Sequence, residues 1–245
     1  STTVSQLINK NSADKGNPKA SIIAETGGIN AMIVDSTALP EQAVKDIIAS
    51  SFQSAGQRCS ALRVLYLQED IANKFLSMLY GAMDELIINN PWHDNTDIGP
   101  IISKNAAKQI NNYIQLALKN KNVLYQVDTP YNDAFVKPTV IKVKSILDLE
   151  KEIFGPVLHI ATFKSGEISS IVNDINKKGY GLTFGIHSGG SMDNQDDGVT
   201  SIPPHACPPG AASTAGRVGD ARAAAPWPAA TPTAPPGSLT TIVSQ

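Results

Sequence analysis

Cysteine is nearly absent from this chain, with two in 245 residues, Cys59 and Cys207. So few, so far apart, exclude a disulfide framework and a thiolate metal cage, and make a reducing, cytoplasmic setting the expectation. No apolar run approaches the roughly 20 residues that a membrane-spanning helix needs. The opening STTVSQLINKNSADKGN lacks the charged-then-apolar layout of a leader, and it lacks an initiator methionine. An excess of one charge is missing too: 20 Lys and Arg stand against 22 Asp and Glu, for a net charge of -2. Nothing in that balance recommends nucleic acid as a partner. The four histidines, His93, His159, His187 and His205, show no mutual metal-ligand spacing. His159 lies inside the apolar run PVLHIATF and reads as a core histidine with satisfied hydrogen bonds, while Trp92 and Tyr113 read as packing residues. There is no internal repeat and no Walker-type phosphate loop.

The composition changes sharply near Ser188. Lysine stops at Lys178, and beyond Gly189 alanine, proline and glycine dominate in SIPPHACPPG and APWPAATPTAPP. A segment of that kind buries too little apolar surface to offset its chain entropy, so residues 189–245 are expected to be a disordered tail in which Cys207 is incidental. A linker is one reading of it. A segment foreign to the fold, such as a reading-frame change would produce, is the preferred one.

Residues 1–188 alternate between two periods. Val4 to Ile8 reads as the last part of a helix, broken by the polar stretch 9–18. ASIIAE (20–25) and AMIVD (31–35) read as short buried strands. Pro40 suits a first helical turn, and Val44, Ile47, Ile48, Phe52 and Ala55 follow at helical spacing until Gly56 can close the helix. ALRVLYL is strand-like, and Ile71, Phe75, Leu79, Met83 and Leu86 mark an amphipathic helix. A further helix follows Ser103, with Ile110, Tyr113, Ile114, Ala117 and Leu118 on one face. VLYQV, PTVIKV, PVLHIATF and LTFGIHS are strand candidates, with a helix over Ile168 to Ile175 before the last. Strands alternating with helices predict an α/β fold with a largely parallel sheet and flanking helices.

Cys59 falls between a helical run and a strand, in FQSAGQRCSALRV. A free cysteine can be a small buried hydrophobe, or a nucleophile held at a turn where backbone N–H groups favour its thiolate. A thioester made there needs a base to activate water, and Glu25, beside Thr26-Gly27-Gly28, is the carboxylate in a comparable strand-to-turn setting. A solvated strand-end charge is the alternative reading of Glu25.

Three stretches, AETGGINAMIV (24–34), FQSAGQRCSA (52–61) and EIFGPV (152–157), resemble in order and wording the signature stretches of the aldehyde dehydrogenase superfamily. DIGPIIS (97–103) and YGLTFGIHS (180–188) are similar to family text as well, and Glu25 precedes Cys59 by the family's interval. The resemblance covers residues 1–188. It implies that Cys59 attacks an aldehyde, that the resulting thiohemiacetal passes hydride to NAD, and that Glu25 activates the water that cleaves the thioester. Glu152 matches the carboxylate holding the nicotinamide ribose, and Phe154 the aromatic residue packing near that ring; a loop charge beside Lys151 and a core aromatic are the alternatives. Ser1 matches the end of the Gly-Ser-Thr turn at the dinucleotide phosphates. In finer wording the chain is similar to the Δ1-pyrroline-5-carboxylate dehydrogenase group, found in bifunctional proline-utilisation proteins, which oxidises L-glutamate γ-semialdehyde to glutamate. There Ser60 matches a residue that helps bind the substrate carboxylate, a neutral turn serine being the alternative. Nothing resembles a flavin module, so no flavin is carried over.

The resemblance divides the chain into a remnant of an NAD-binding domain (1–28), a partial catalytic domain (29–188) and the tail (189–245). The family's oxyanion-hole asparagine, its cofactor-ribose lysine, its substrate-anchoring glycine-rich loop and its oligomer-contact strand have no counterpart here. The function expected is thus that of a truncated NAD-dependent aldehyde dehydrogenase whose isolated chain shows no useful turnover. The alternative is a non-catalytic remnant that at most binds a partner. The parent family is oligomeric, and its partner here is a small aldehyde.

Overall fold

The computed structural model describes residues 2–16, 22, 26–130 and 134–189, together with the strand at 239–244. After an exposed helix α1 (Thr2–Asp14), a sheet unit runs β1 (Asn30–Val34), α2 (Pro40–Phe52), β2 (Leu62–Gln68), α3 (Glu69–Asp84) and α4 (Lys104–Lys119). Then come β3 (Val123–Gln126), β4 (Thr139–Lys142), β5 (Val157–Phe163), α5 (Ile168–Lys178), β6 (Thr183–Ser188) and β7 (Leu239–Ser244). The sheet order is β3-β4-β5-β2-β1-β6-β7, with β4, β5, β2, β1 and β6 mutually parallel and the two edge strands antiparallel.

Both faces of the sheet are covered, which is why every residue of β1 and β2 is buried and the strands read as continuous apolar runs. The pleat still sorts the side chains. Met32, Val34, Leu65, Leu67, Leu158 and Ile160 face α2, α3 and α4, whereas Ile33, Val64, Tyr66, Ala161 and Phe163 face α5. Pro40 opens α2, where its missing N–H costs nothing, and Ser103 caps α4 by accepting from the Ala106 N–H at 3.2 Å.

Three expectations change, the first being that α2 ends at Phe52 instead of running through Ala55 to Gly56, because Ser54 and Ala55 take left-handed φ values that a helix cannot continue through. The first helix continues through Asn9–Asp14 instead of breaking there, because polar residues on a solvent-exposed helix meet no conflict; Val4, Leu7 and Ile8 are themselves about half exposed. The tail is not uniformly without structure: Leu239–Ser244 pairs antiparallel with the whole of β6, from Thr183↔Ser244 to Ser188↔Leu239. The stretch LTTIVS is rich in β-branched residues, and the outer edge of β6 offers it a row of unpaired backbone groups. The rest of the tail, Cys207 and His205 included, and most of the ASIIAE run lie outside the described residues.

Candidate active site

Four loops separated widely in sequence meet at one end of the sheet. They are the segments entering β1 (26–29), β2 (57–61), β5 (152–156) and β6 (180–182), so the gathering lies at the N-terminal ends of parallel strands. These are the stretches singled out in the sequence as motifs.

The nucleophile candidate sits at the tip of a turn. The Ala61 N–H donates to the Arg58 carbonyl at 3.0 Å, which leaves Cys59 and Ser60 as the two central turn residues, both exposed. The approach to this turn is strained: Ser54 (φ 57°), Ala55 (φ 54°) and Gly56 (φ 66°) are all left-handed, a conformation that costs non-glycine residues about 1–2 kcal/mol each. Such strain persists only where surrounding structure over-determines it. Here Gln57 supplies part of that, donating to Pro100 O (3.2 Å) and accepting from the Ile102 N–H (2.8 Å), which ties the turn to the DIGPIIS loop.

Asn30, 1 % exposed at the start of β1, holds the turn from below. Its Nδ2 donates to the carbonyls of Cys59 and Ala61, both at 2.8 Å, while its Oδ1 accepts from the N–H groups of Leu182 (2.8 Å) and Thr183 (3.0 Å). Both donors and both acceptor sites of the amide are therefore used. Thr183 Oγ1 also donates to Ser60 O at 3.2 Å. With the carbonyls of residues 58, 59, 60 and 61 engaged, the N–H groups of Cys59 and Ser60 donate to no partner among the described residues.

Glu152 is held by a second buried group. Arg63, fully buried within β2, donates to Glu152 Oε1 from Nε (3.1 Å) and Nη2 (2.9 Å), to Gly155 O from Nη1 (3.2 Å), and to Arg58 O from Nη2 (3.1 Å). The Gly28 N–H donates to Glu152 Oε2 at 3.1 Å. Burial pulls Arg63 below its ordinary pKa, opposed chiefly by the hydrogen bonds and charge of Glu152; a guanidinium stays cationic throughout. Its Cζ lies over the Phe154 ring, 5.4 Å from the centroid, while Phe154 remains 43 % exposed. Phe154 is thus not a core aromatic, and Glu152 is not a free loop charge. Gly27 makes the close approach possible, since a Cβ there would stand 2.2 Å from Glu152 Oε2.

A cleft of about 270 Å³ opens beside the turn, between α2 and the start of β6, and Asp46, Ser50, Gln53, Arg58, Ser60 and Thr183 contribute its polar wall. Arg58 reaches across to Ala49 O (2.8 Å) with Nη2, and its buried Nε finds no partner among the described residues. Glu25 and Ser1 lie outside the described residues, so the structure brings together Cys59, Ser60, Glu152 and Phe154 from the expected set. Among the described residues no three of His, Cys, Asp and Glu are grouped to hold a metal, and no helix is long and apolar enough to cross a membrane.

His159, predicted as a satisfied core histidine, is one, and it adds a third tier beneath Arg63. A carbonyl can only accept, so Nδ1–H donates to Arg63 O (2.9 Å) and Nε2 accepts from Tyr113 OH (2.9 Å). Tyr113 therefore hydrogen-bonds as well as packs, whereas Trp92, read as packing, is 90 % exposed. Burial pushes His159 down to about 4. The unfolded chain takes up this proton near pH 6.5, above the folded value, so stability is complete above about pH 6.5 and declines as pH falls toward 4, by about 2 kcal/mol at pH 5. His187, also lowered by burial, adds in the same direction against the opposing charge of Asp46. Urea midpoints at pH 7.5 and pH 5 are expected to separate strongly in the parent and less in His159→Gln. Equal separations would remove His159 as the source.

Arg63 and Asn30 were not singled out in the sequence, although each carried a signal. An arginine inside ALRVLYL and an asparagine opening AMIVD place polar groups in strands otherwise committed to burial, which requires partners.

Comparison with known proteins shows what this chain is similar to. The aldehyde dehydrogenase family model matches residues 1–193. The bifunctional protein PutA of Klebsiella aerogenes is 48 % identical over 199 residues, covering 77 % of this chain and 15 % of that protein. The crystal structure of Bradyrhizobium japonicum proline utilization A, mutant D778Y, superposes with a TM-score of 0.73 at 41 % identity, covering 77 % of this chain and 19 % of that one. The glyceraldehyde-3-phosphate dehydrogenase GapN of Methanocaldococcus jannaschii, complexed with NADP, has a TM-score of 0.61 at 31 % identity, covering 71 % of this chain and 37 % of that one. The chain thus spans about 15 % of the length of the PutA relative.

Proposed function

We propose that this chain, which belongs to the aldehyde dehydrogenase family, carries the cysteine half of an NAD-dependent oxidation of L-glutamate γ-semialdehyde to glutamate. The observation that carries the reading is the convergence of the Cys59 turn with Glu152 and Phe154 at one sheet end, joined by Arg63. Similarity to proline utilization A, together with the wording around Cys59, supports the semialdehyde as substrate.

The Cys59 thiolate adds to the aldehyde carbon, giving a thiohemiacetal whose oxygen carries the developing charge. The N–H groups of Cys59 and Ser60, which donate to no partner among the described residues, are suited to stabilise it, since donors aimed at a developing oxyanion act without reorganisation. Loss of hydride leaves a thioester on Cys59, and attack by water then yields the carboxylate and the free thiol. Glu25 takes the proton of that water in this reading, which rests on its place in the sequence. Ser60, with Arg58 in the neighbouring cleft wall, meets the distal carboxylate of the substrate.

The residues present fit a nicotinamide nucleotide. Glu152 is fixed by three hydrogen bonds yet retains acceptor capacity on Oε2 for a ribose hydroxyl, and Phe154 offers an open ring face beside it. Such a cofactor, when bound, supplies the hydride acceptor.

The test is NADH absorbance with L-glutamate γ-semialdehyde and, in parallel, butanal, which lacks the carboxylate. Turnover by the isolated chain is expected to be slight, and whatever NADH forms is expected to come preferentially from the semialdehyde. Equal rates would remove the carboxylate role of Ser60, and no NADH from either would leave this chain the non-catalytic reading.

A further inference from the structure

We infer that Arg63 is the positioning residue of this site, its buried guanidinium locking the carboxylate of Glu152 and the Cys59 turn into one rigid unit. The inference rests on the reading of Glu152 and Phe154 as a nicotinamide-nucleotide subsite, and goes beyond it by assigning what makes that subsite. Arg63 is fully buried and presents no surface of its own to a ligand. Every N–H direction it uses points instead at the two loops: Nε and Nη2 at Glu152, Nη1 at Gly155 O, and Nη2 again at Arg58 O, one residue before Cys59.

A planar fork is required for this. Two donors meet one carboxylate oxygen while the others reach carbonyls of two different loops, a set that a lysine ammonium cannot reproduce from a single point. The carboxylate is pinned from its other side by the Gly28 N–H, so Glu152 has one pose with its remaining acceptor capacity outward. The same cation sits against Phe154 and orients the ring. The backbone of Arg63 is fixed in turn by His159 and Tyr113, so the fork has a rigid base. A residue that merely stabilised the fold would have no reason to spread its donors over these two loops alone.

A double-mutant cycle on the full chain tests the assignment, with nicotinamide mononucleotide as the probe, titrated by NMR line broadening. This half-cofactor needs only the ribose and ring subsite. Glu152→Gln and Arg63→Met are each expected to weaken it about tenfold, the scale of losing a charge-assisted hydrogen bond, and the double variant no further than either single. Non-additivity is the signature of one group acting through the other; a purely structural role of Arg63 would weaken binding equally in both backgrounds. Losses that multiply to about a hundredfold overturn the positioning role. Weakening by Glu152→Gln without weakening by Arg63→Met overturns it too and leaves the subsite reading standing. No effect of Glu152→Gln, or no binding by the parent, overturns the subsite reading and this inference together. Should Arg63→Met lose its fold by circular dichroism, Arg63→Lys takes its place in the same cycle, with the same expected non-additivity, and added guanidinium is expected not to rescue Glu152→Gln.

Discussion

Cys59→Ala is expected to abolish whatever semialdehyde oxidation the chain shows, because the covalent route disappears with the nucleophile. The thiol is the reacting atom in the proposed chemistry, at the exposed tip of a turn whose backbone is held by Asn30, Thr183 and Arg63. Removing it leaves that frame intact, so the variant separates chemistry from folding: its melting curve is expected to match the parent's. Cys59→Ser is expected to fall nearly as far, since a hydroxyl is a poor nucleophile without an adjacent base. Hydrolysis of p-nitrophenyl acetate gives a second readout that needs no cofactor, and it is expected to lose its thiol-dependent part in both variants. Cys207→Ser is the control, and is expected to leave both rates unchanged. An alanine variant that oxidises the semialdehyde within tenfold of the parent would sink the nucleophile assignment.

The α/β class and the largely parallel sheet were legible because buried strands read as short apolar runs and the helices between them keep a strong 3.6-residue stripe; β2, α3 and β5 fall where those patterns place them. The Cys59 turn was legible as the break between α2 and β2. Its supports were not, since they come from far away along the chain: Glu152 lies 89 residues from Arg63 and 124 from Gly28. Local pattern reports that Arg63 is out of place in a buried strand but not which carboxylate answers it. The same limit explains β7. Residues 239–244 carry strand-forming side chains, but what makes them a strand is the open edge of β6, which local periodicity does not contain. α1 erred in the other direction, because a solvent-exposed helix needs no apolar stripe to continue through polar residues.

Gly56→Ala is expected to destabilise the fold by about 3 kcal/mol or more, combining left-handed backbone strain with an overlap that cannot relax. Gly56 has φ +66°, and a Cβ there would stand 2.2 Å from Gly155 O, 2.6 Å from Gly155 C and 2.9 Å from Ser51 O. All three are backbone atoms, so no side chain can swing aside, and one of the two loops must move. Either movement reaches the site. Gly155 O is an acceptor of Arg63, and the turn carrying Cys59 begins two residues after Gly56, so the unit joined by the guanidinium would open at its seam. Loss of urea stability should therefore come with weaker binding of nicotinamide mononucleotide. Gly81→Ala is the control for the substitution itself: it lies on the exposed side of α3 with open space around it, and is expected to gain roughly 0.5–1 kcal/mol from helix propensity. A Gly56→Ala chain that melts with the parent would mean that the Gly56 and Gly155 backbones are not in contact. The close packing of the nucleophile turn on the Glu152 loop would then fall with it.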